Sequence, residues 1–229
     1  EKNFWGCDIN PVATLIAKTK SESYKITVLN ILFKKISLAF ENEIIPNDIY
    51  SHSNDRLKYW FTENSFNSLY KLKKTIYNVT SKGKYRDAFL CLFSSILKAS
   101  SRWLTKSIKP QIDPQKNEID IFDVFVMQYN KFIRSISQIQ GYNLGNTSIE
   151  IKNGDFLKIH NIPQVDLIIS SPPYVTSYEY ADLHQLSTIW LGYADDYRNV
   201  RKGSIGSIYN SENFRVQLDE LNVIGRGIV

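Results

Sequence analysis

Between Lys25 and Ile139 the apolar residues return at the spacing of an α-helix four times over, while strand-like segments stand at the two ends of the chain. Val28, Leu29, Leu32, Phe33, Ile36 and Phe40 form the first stripe, closed by a polar loop with Pro46 and Asn47. Phe66, Leu69, Tyr70, Ile76 and Tyr77 form the second, with Lys71 and Lys74 on another face. Tyr85, Ala88, Phe89, Leu92, Phe93, Ile96 and Leu97 form the third. Phe122, Phe125, Val126, Tyr129, Phe132, Ile133, Ile136 and Ile139 form the fourth and longest. Stripes of this width bury one face of each helix, so aromatic residues within them are assigned to the core.

The flanks read differently. Phe4-Trp5-Gly6-Cys7-Asp8-Ile9 is the end of a short buried strand running out into an acid, and Asn10-Pro11 then supplies an N-cap and a first-turn proline for a helix over Val12 to Lys20. After Gly141, Ser148-Ile149-Glu150-Ile151 alternates like a strand entering a turn at Asn153-Gly154-Asp155. Val165 to Ser170 is a β-branched apolar run suited to a strand buried on both faces. Strands alternating with helices imply an α/β fold, a parallel doubly wound sheet whose ligands sit at the C-terminal strand edge. The three strand ends there, Asp8, Asp155 and Ser171, are all polar.

Composition narrows the setting. With 229 residues and 43% hydrophobic content the chain is a globular mixture, one domain or one domain with a large insertion. Cys7 and Cys91 cannot make a disulfide framework or a four-ligand zinc site, so each is expected to be a small buried apolar residue in a reducing compartment, with no metal. No apolar run has the length of a membrane span and no signal-peptide pattern opens the chain, so a cytoplasmic protein is expected. The formal charge of +5 hides an asymmetry: Arg56 to Lys109 holds twelve basic residues against Glu63 and Asp87. Clustered Lys and Arg suit a polyanion, and they equally suit the solvated faces of helices.

Asp166-Leu167-Ile168-Ile169-Ser170-Ser171-Pro172-Pro173-Tyr174, a hydrophobic strand ending in Ser-Pro-Pro-Tyr, resembles the catalytic motif of S-adenosylmethionine-dependent DNA amino-methyltransferases. The chemistry asks for such residues. An exocyclic amine of a nucleobase is a poor nucleophile because its lone pair is conjugated with the ring. The Ser171 hydroxyl and the Pro172 carbonyl can accept its two N–H bonds and favour a pyramidal nitrogen. Pro172 and Pro173 stiffen the turn and leave its carbonyls open. The Tyr174 ring offers a stacking face worth about 1–3 kcal/mol to a base that must first be flipped out of the duplex.

Gly6 to Lys18 is similar to the stretch after the glycine-rich loop of that family, and the resemblance implies that Asp8, with Ile9 beside it, binds the cofactor's ribose hydroxyls. Asn153-Gly154-Asp155-Phe156 is similar to the third cofactor motif, implying that Asp155 accepts from the adenine amino group while Phe156 packs on the ring; a turn Asx residue is the competing reading of Asp155. Val175 to Ser207 resembles the family's continuation, and Tyr59-Trp60-Phe61 and Phe93-Ser94-Ser95-Ile96 are weaker echoes.

The resemblance implies a Rossmann-like core from residues 1–20 and 148–229, with a helical insertion at 21–147 that is basic over 56–109. Departures matter too: no glycine-rich loop precedes Asp8, and Gly225-Arg226-Gly227 is not read as one. An incomplete methyltransferase domain is therefore expected, a fragment or a chain completed by a partner or by a second copy. Lys71, Lys73 and Lys74 are the expected DNA contacts of the insertion, with a dimer interface as its competitor. Arg198, Arg201 and Lys202, set among glycines, suit a loop gripping phosphate, as they equally suit a solvated one. His184 beside Asp182 is read as a satisfied histidine, since no base is required to take the amine's proton. Ser before Pro-Pro-Tyr leans toward N4 of cytosine over N6 of adenine in double-stranded DNA. An RNA or protein-amide methyltransferase, or a non-catalytic DNA-binding subunit, is the alternative.

Overall fold

The computed structural model describes residues 2–139, 147–170 and 180–201. Over them the chain is mixed α/β and mostly helical, with a two-stranded parallel sheet. Strand β1 (Phe4–Asp8) pairs with β2 (Ile149–Asn153), in a register that sets Phe4 against Ile149 and Asp8 against Asn153. Parallel strands cannot be joined by a hairpin, so a crossover must lie between them. Here it is α1 (Pro11–Ser21), α2 (Ile26–Asn42), α3 (Asp55–Trp60), α4 (Glu63–Val79), α5 (Lys84–Ser100) and α6 (Ile121–Ile139).

Local chemistry sets the helix ends. Asn10 caps α1, its Oδ1 accepting from the N–H of Val12 (2.9 Å) and Ala13 (3.4 Å), with Pro11 at the first position. Thr62 caps α4 through the Ser65 N–H. Gly83 precedes α5 at φ 135°, a conformation that a side chain would strain, and its carbonyl accepts the Asp87 N–H.

Helix α5 is the hub. Ala88, Phe89, Leu90, Leu92, Phe93, Ile96 and Leu97 are all buried, against α4, α6 and α1. Phe66, Leu69, Leu72 and Ile76 face it from α4, and Ile121, Phe125, Tyr129 and Ile136 from α6. The Phe33 and Tyr129 rings stack at 3.8 Å, and the Tyr129 hydroxyl donates to Asn30 Oδ1 at 2.6 Å, tying α2 to α6. The core runs on into Leu15 of α1 and into Leu186, Trp190 and Leu191, in or just after α8 (Gln185–Trp190), which follows the single turn α7 (Tyr180–Leu183). Helical block and flanks thus share one apolar interior.

Three expectations are corrected. Val165–Ser170 forms no regular strand and is exposed: Leu167 is 73%, Ile168 80% and Ile169 86% accessible. Strand preference in such a run expresses fit to a pleated, covered surface, and the described sheet ends at β1 and β2. Tyr77 and Ile139 lie on exposed helix faces rather than in the core; Tyr77 instead receives the Arg86 guanidinium 5.1 Å above its ring. Cys7 and Cys91 are half-buried, not buried, and desolvation raises both thiol pKa values. Two features had no sequence expectation: the short helix α3, and the antiparallel bridge Trp103–Ile112 that ties down the loop after α5.

Candidate cofactor corner and cationic surface

The parallel register brings the exits of β1 and β2 together. The Asp8 carbonyl accepts from the Gly154 N–H and from Asn153 Nδ2, each at 3.0 Å, and Asn153 Nδ2 also reaches the Ile9 carbonyl at 3.1 Å. The exposed Asp8 carboxylate accepts the Asn10 N–H at 2.7 Å and keeps its second oxygen. Asp155 begins the short 3₁₀ turn Phe156–Lys158, its carboxylate accepting the Leu157 N–H at 3.1 Å with Lys158 Nζ 3.5 Å away. Asp155 therefore has the turn role of its competing reading, at the place where the resemblance wants an acceptor.

Both acids act on Cys7: burial first, then the charges of Asp8 and Asp155, push its thiol up. Two carboxylates separated by the whole helical block thus converge at one strand edge. Phe156 and Leu157 stand more than half exposed beside Asp155, an apolar ledge next to an acceptor. Ile9 is half-buried behind Asp8.

His184 closes this corner. Its Nδ1 lies 2.9 Å from Asn10 Nδ2, so α8 begins directly against the cap of α1. Sequence reasoning had a satisfied histidine but not its partner, and no pattern in the chain links the two positions. Ser171, Pro172, Pro173 and Tyr174 lie outside the described residues, as does Lys202; Arg201 is placed by its backbone at the end of the 3₁₀ turn Tyr197–Arg201.

Of the three lysines expected to meet DNA, Lys71 and Lys74 sit against the end of α2 and the residues just past it, whereas Lys73 lies by Tyr77 of its own helix. Lys71 Nζ donates to the Glu41 carbonyl at 3.3 Å, with the Phe40 ring 4.8 Å below it. Lys74 pairs with Glu43 at 2.8 Å, donates to the Ile44 carbonyl, and by its hydrogen bond holds the Glu43 carboxyl below the usual range. Lys73 is half-buried, which lowers its pKa, with its ammonium 6.0 Å from the Tyr77 ring. Lysines at a helix C-terminus satisfy its last carbonyls.

Other cations of the basic segment act likewise. Arg86 reaches the Tyr77 and Thr80 carbonyls, Arg102 those of Lys58 and Tyr59, and Lys98 that of Ser107. Lys82, Lys106 and Lys109 are exposed. Arg198 makes a two-pronged exposed ion pair with Asp196, at 2.7 to 3.0 Å, on the rim of a cavity of about 390 Å³ lined also by Asn54, Arg56, Asp195 and Tyr197.

Fold and corner together define a mostly helical α/β protein with two carboxylates at the C-terminal edge of a parallel strand pair. Set against models of known protein families, against curated proteins and against solved structures, the chain matches none. No helix among the described residues is long and apolar enough to cross a membrane.

Proposed function

We propose that the chain belongs to an S-adenosylmethionine-dependent methyltransferase, built on a Rossmann-like core, that modifies the exocyclic amine of a flipped base in double-stranded DNA, N4 of cytosine ahead of N6 of adenine. The observation that carries this reading is the parallel register that brings Asp8 and Asp155 to one strand edge across the helical block. Ligands of α/β sheets bind at that edge. The residues present fit the cofactor: the exposed Asp8 carboxylate has an oxygen for ribose hydroxyls, and Phe156 offers an exposed apolar face for the adenine ring beside Asp155.

When bound, S-adenosylmethionine supplies a methyl group on a sulfonium, with the C–S pair staying on sulfur. The chain's own part is to prepare the amine. Ser171 Oγ and the Pro172 carbonyl take its two N–H bonds, Pro173 holds the turn, Tyr174 stacks the base, and the proton lost on methylation goes to water. A covalent cysteine route is disfavoured, because Cys7 and Cys91 both have raised pKa values and hold little thiolate near neutral pH.

Ser171→Ala in the full-length protein is expected to slow transfer of labelled methyl to DNA about 10²–10³-fold, the usual effect of removing one hydrogen bond made to the reacting group. Digestion of the labelled DNA identifies the methylated nucleoside. Absence of label from DNA exposed to the unaltered protein would sink the reading. Label in RNA or a protein amide would move it to that substrate class. A non-catalytic DNA-binding subunit is the second reading, favoured by the engagement of the Asp155 carboxylate in its own turn.

Contact between the helical block and the DNA backbone is tested by salt. Converting Lys82, Lys106 and Lys109 together to Gln is expected to flatten the plot of log affinity against log salt by about 0.9 for each phosphate that is no longer neutralised. The Lys71, Lys73 and Lys74 triple should flatten it less, since Lys71 and Lys74 already serve the Glu41 and Ile44 carbonyls at and just past the end of α2. Unchanged slopes in both would remove the block from the interface.

A further inference from the structure

His184 and Asn10 lie 174 positions apart in the chain, yet they meet; Asn10 is buried and both ends of its side-chain amide are engaged. Its Oδ1 accepts two α1 N–H groups, so the atom facing His184 is the amide nitrogen, a donor. The imidazole Nδ1 must then be the acceptor, unprotonated, with the ring proton on Nε2. On its other side, Asn10 donates its main-chain N–H to the Asp8 carboxylate. One residue therefore stands between His184, which leads into α8 downstream of Ser171-Pro172-Pro173-Tyr174, and the acid assigned to the ribose.

We infer that His184 is a positioning residue of the cofactor corner, whose neutral ring fastens the segment after the Ser-Pro-Pro-Tyr turn to Asn10 and through it fixes the Asp8 carboxylate. The inference rests on the methyltransferase reading above. Protonation would set an Nδ1–H against the amide N–H₂ and break the link. Burial favours the neutral ring, lowering its pKa and outweighing the nearby Asp8 charge, which acts the other way. The charge that acts on the ring is that of Asp8 on β1; of the elements packed on α8, α1 carries Lys18 and Lys20 but meets the ring through the uncharged Asn10, α5 reaches α8 through Ser94 on Ser187, α7 carries Asp182, and the 3₁₀ turn Tyr197–Arg201 carries Arg198 and Arg201.

The sign follows. An imidazole whose pKa is depressed by this site is neutral above the ordinary histidine range, and the ordering is lost as pH falls through that range and below.

The test is the dissociation constant of S-adenosylmethionine for the full-length protein from about pH 5 to about pH 8, for the unaltered protein, His184→Asn and His184→Leu. Asparagine places an oxygen acceptor near the Nδ1 position and cannot be protonated there; leucine leaves the Asn10 N–H unpaired. The unaltered protein is expected to lose affinity by up to about tenfold per pH unit once the ring protonates. His184→Asn should bind more tightly than His184→Leu and show a flat profile. A His184→Asn profile that keeps the acid loss, or His184→Leu binding like the unaltered protein at neutral pH, would overturn the inference and leave the methyltransferase reading standing. No binding by the unaltered protein at any pH would overturn both.

Discussion

Gln185→Leu is expected to destabilise the protein by about 3–5 kcal/mol, the range for stripping a partner from a buried, charge-bearing hydrogen-bond network. Gln185 is fully buried and uses both ends of its amide. Its Oε1 accepts from Trp60 Nε1 at 3.0 Å and from Arg56 Nε at 2.8 Å, while its Nε2 donates to the Asp182 carbonyl at 2.8 Å. Leucine fills similar space but takes one hydrogen-bond partner away from two donors and an acceptor at once. Arg56 is half-buried and can turn partly to water, so the lower half of the range applies if it does so. Gln185→Glu keeps the acceptor for Arg56 and Trp60 but sets an oxygen against the Asp182 carbonyl, so its loss should be smaller. A denaturant titration reads both variants as a shift in midpoint at constant slope. A loss below about 1 kcal/mol for the leucine variant would mean that water replaces the amide and that the network is not closed.

Trp190→Ala should cost a similar amount, about 3–5 kcal/mol, by a different route. The ring is 3% exposed and sits among Phe61, Phe66 and Phe93, with centroids 5.8, 4.9 and 5.7 Å away. Removing it opens a cavity between α8, α4 and α5 in an interior that cannot fully collapse. Trp190→Phe should cost far less, because the Trp190 indole N–H is itself buried without a hydrogen-bond partner among the described residues, and its removal offsets part of the lost packing. If the alanine variant unfolded at the same denaturant midpoint as the unaltered protein, α8 would not share the helical core. The Asn10–His184 contact, held by the same docking of α8, would then have no structural basis.

Much of the helical architecture was legible because helices are local objects. The spacing of Phe66, Leu69 and Ile76, and of Ala88, Phe89, Leu92, Phe93 and Ile96, is the i, i+3, i+4 pattern that any core-facing helix needs, and it survives whatever the helix packs on. Asn10-Pro11 likewise announces a cap that operates within one turn. The strand pair was legible in its members, Phe4–Asp8 and Ile149–Asn153, because alternation and the exit turn are local too. The Val165–Ser170 run shows the limit of that logic. Its β-branched residues state a preference for a covered pleat, and a preference cannot supply the neighbouring strand or the layers above and below.

Charge was the least transparent signal. Counting Lys and Arg over Arg56–Lys109 gives a basic segment, but the count does not say that Lys71 and Lys74 reach the Glu41 and Ile44 carbonyls at and just past the end of α2 or that Arg102 spans the end of α3. A cation's partner is a matter of which carbonyl lies within reach, and that depends on how two helices pack.

From residue order alone, then, came the helical block, its two flanking strands and the acids at their exits, Asp8 and Asp155. Tertiary structure decided which of those ends meet. It brought Asp8 and Asp155 around Cys7, seated Trp190 among the phenylalanines of α4 and α5, and set His184 on Asn10. The division has one physical cause. Periodicity and capping act over a few residues, whereas these contacts require closing loops of about a hundred residues or more, a cost offset only by the burial of the assembled core.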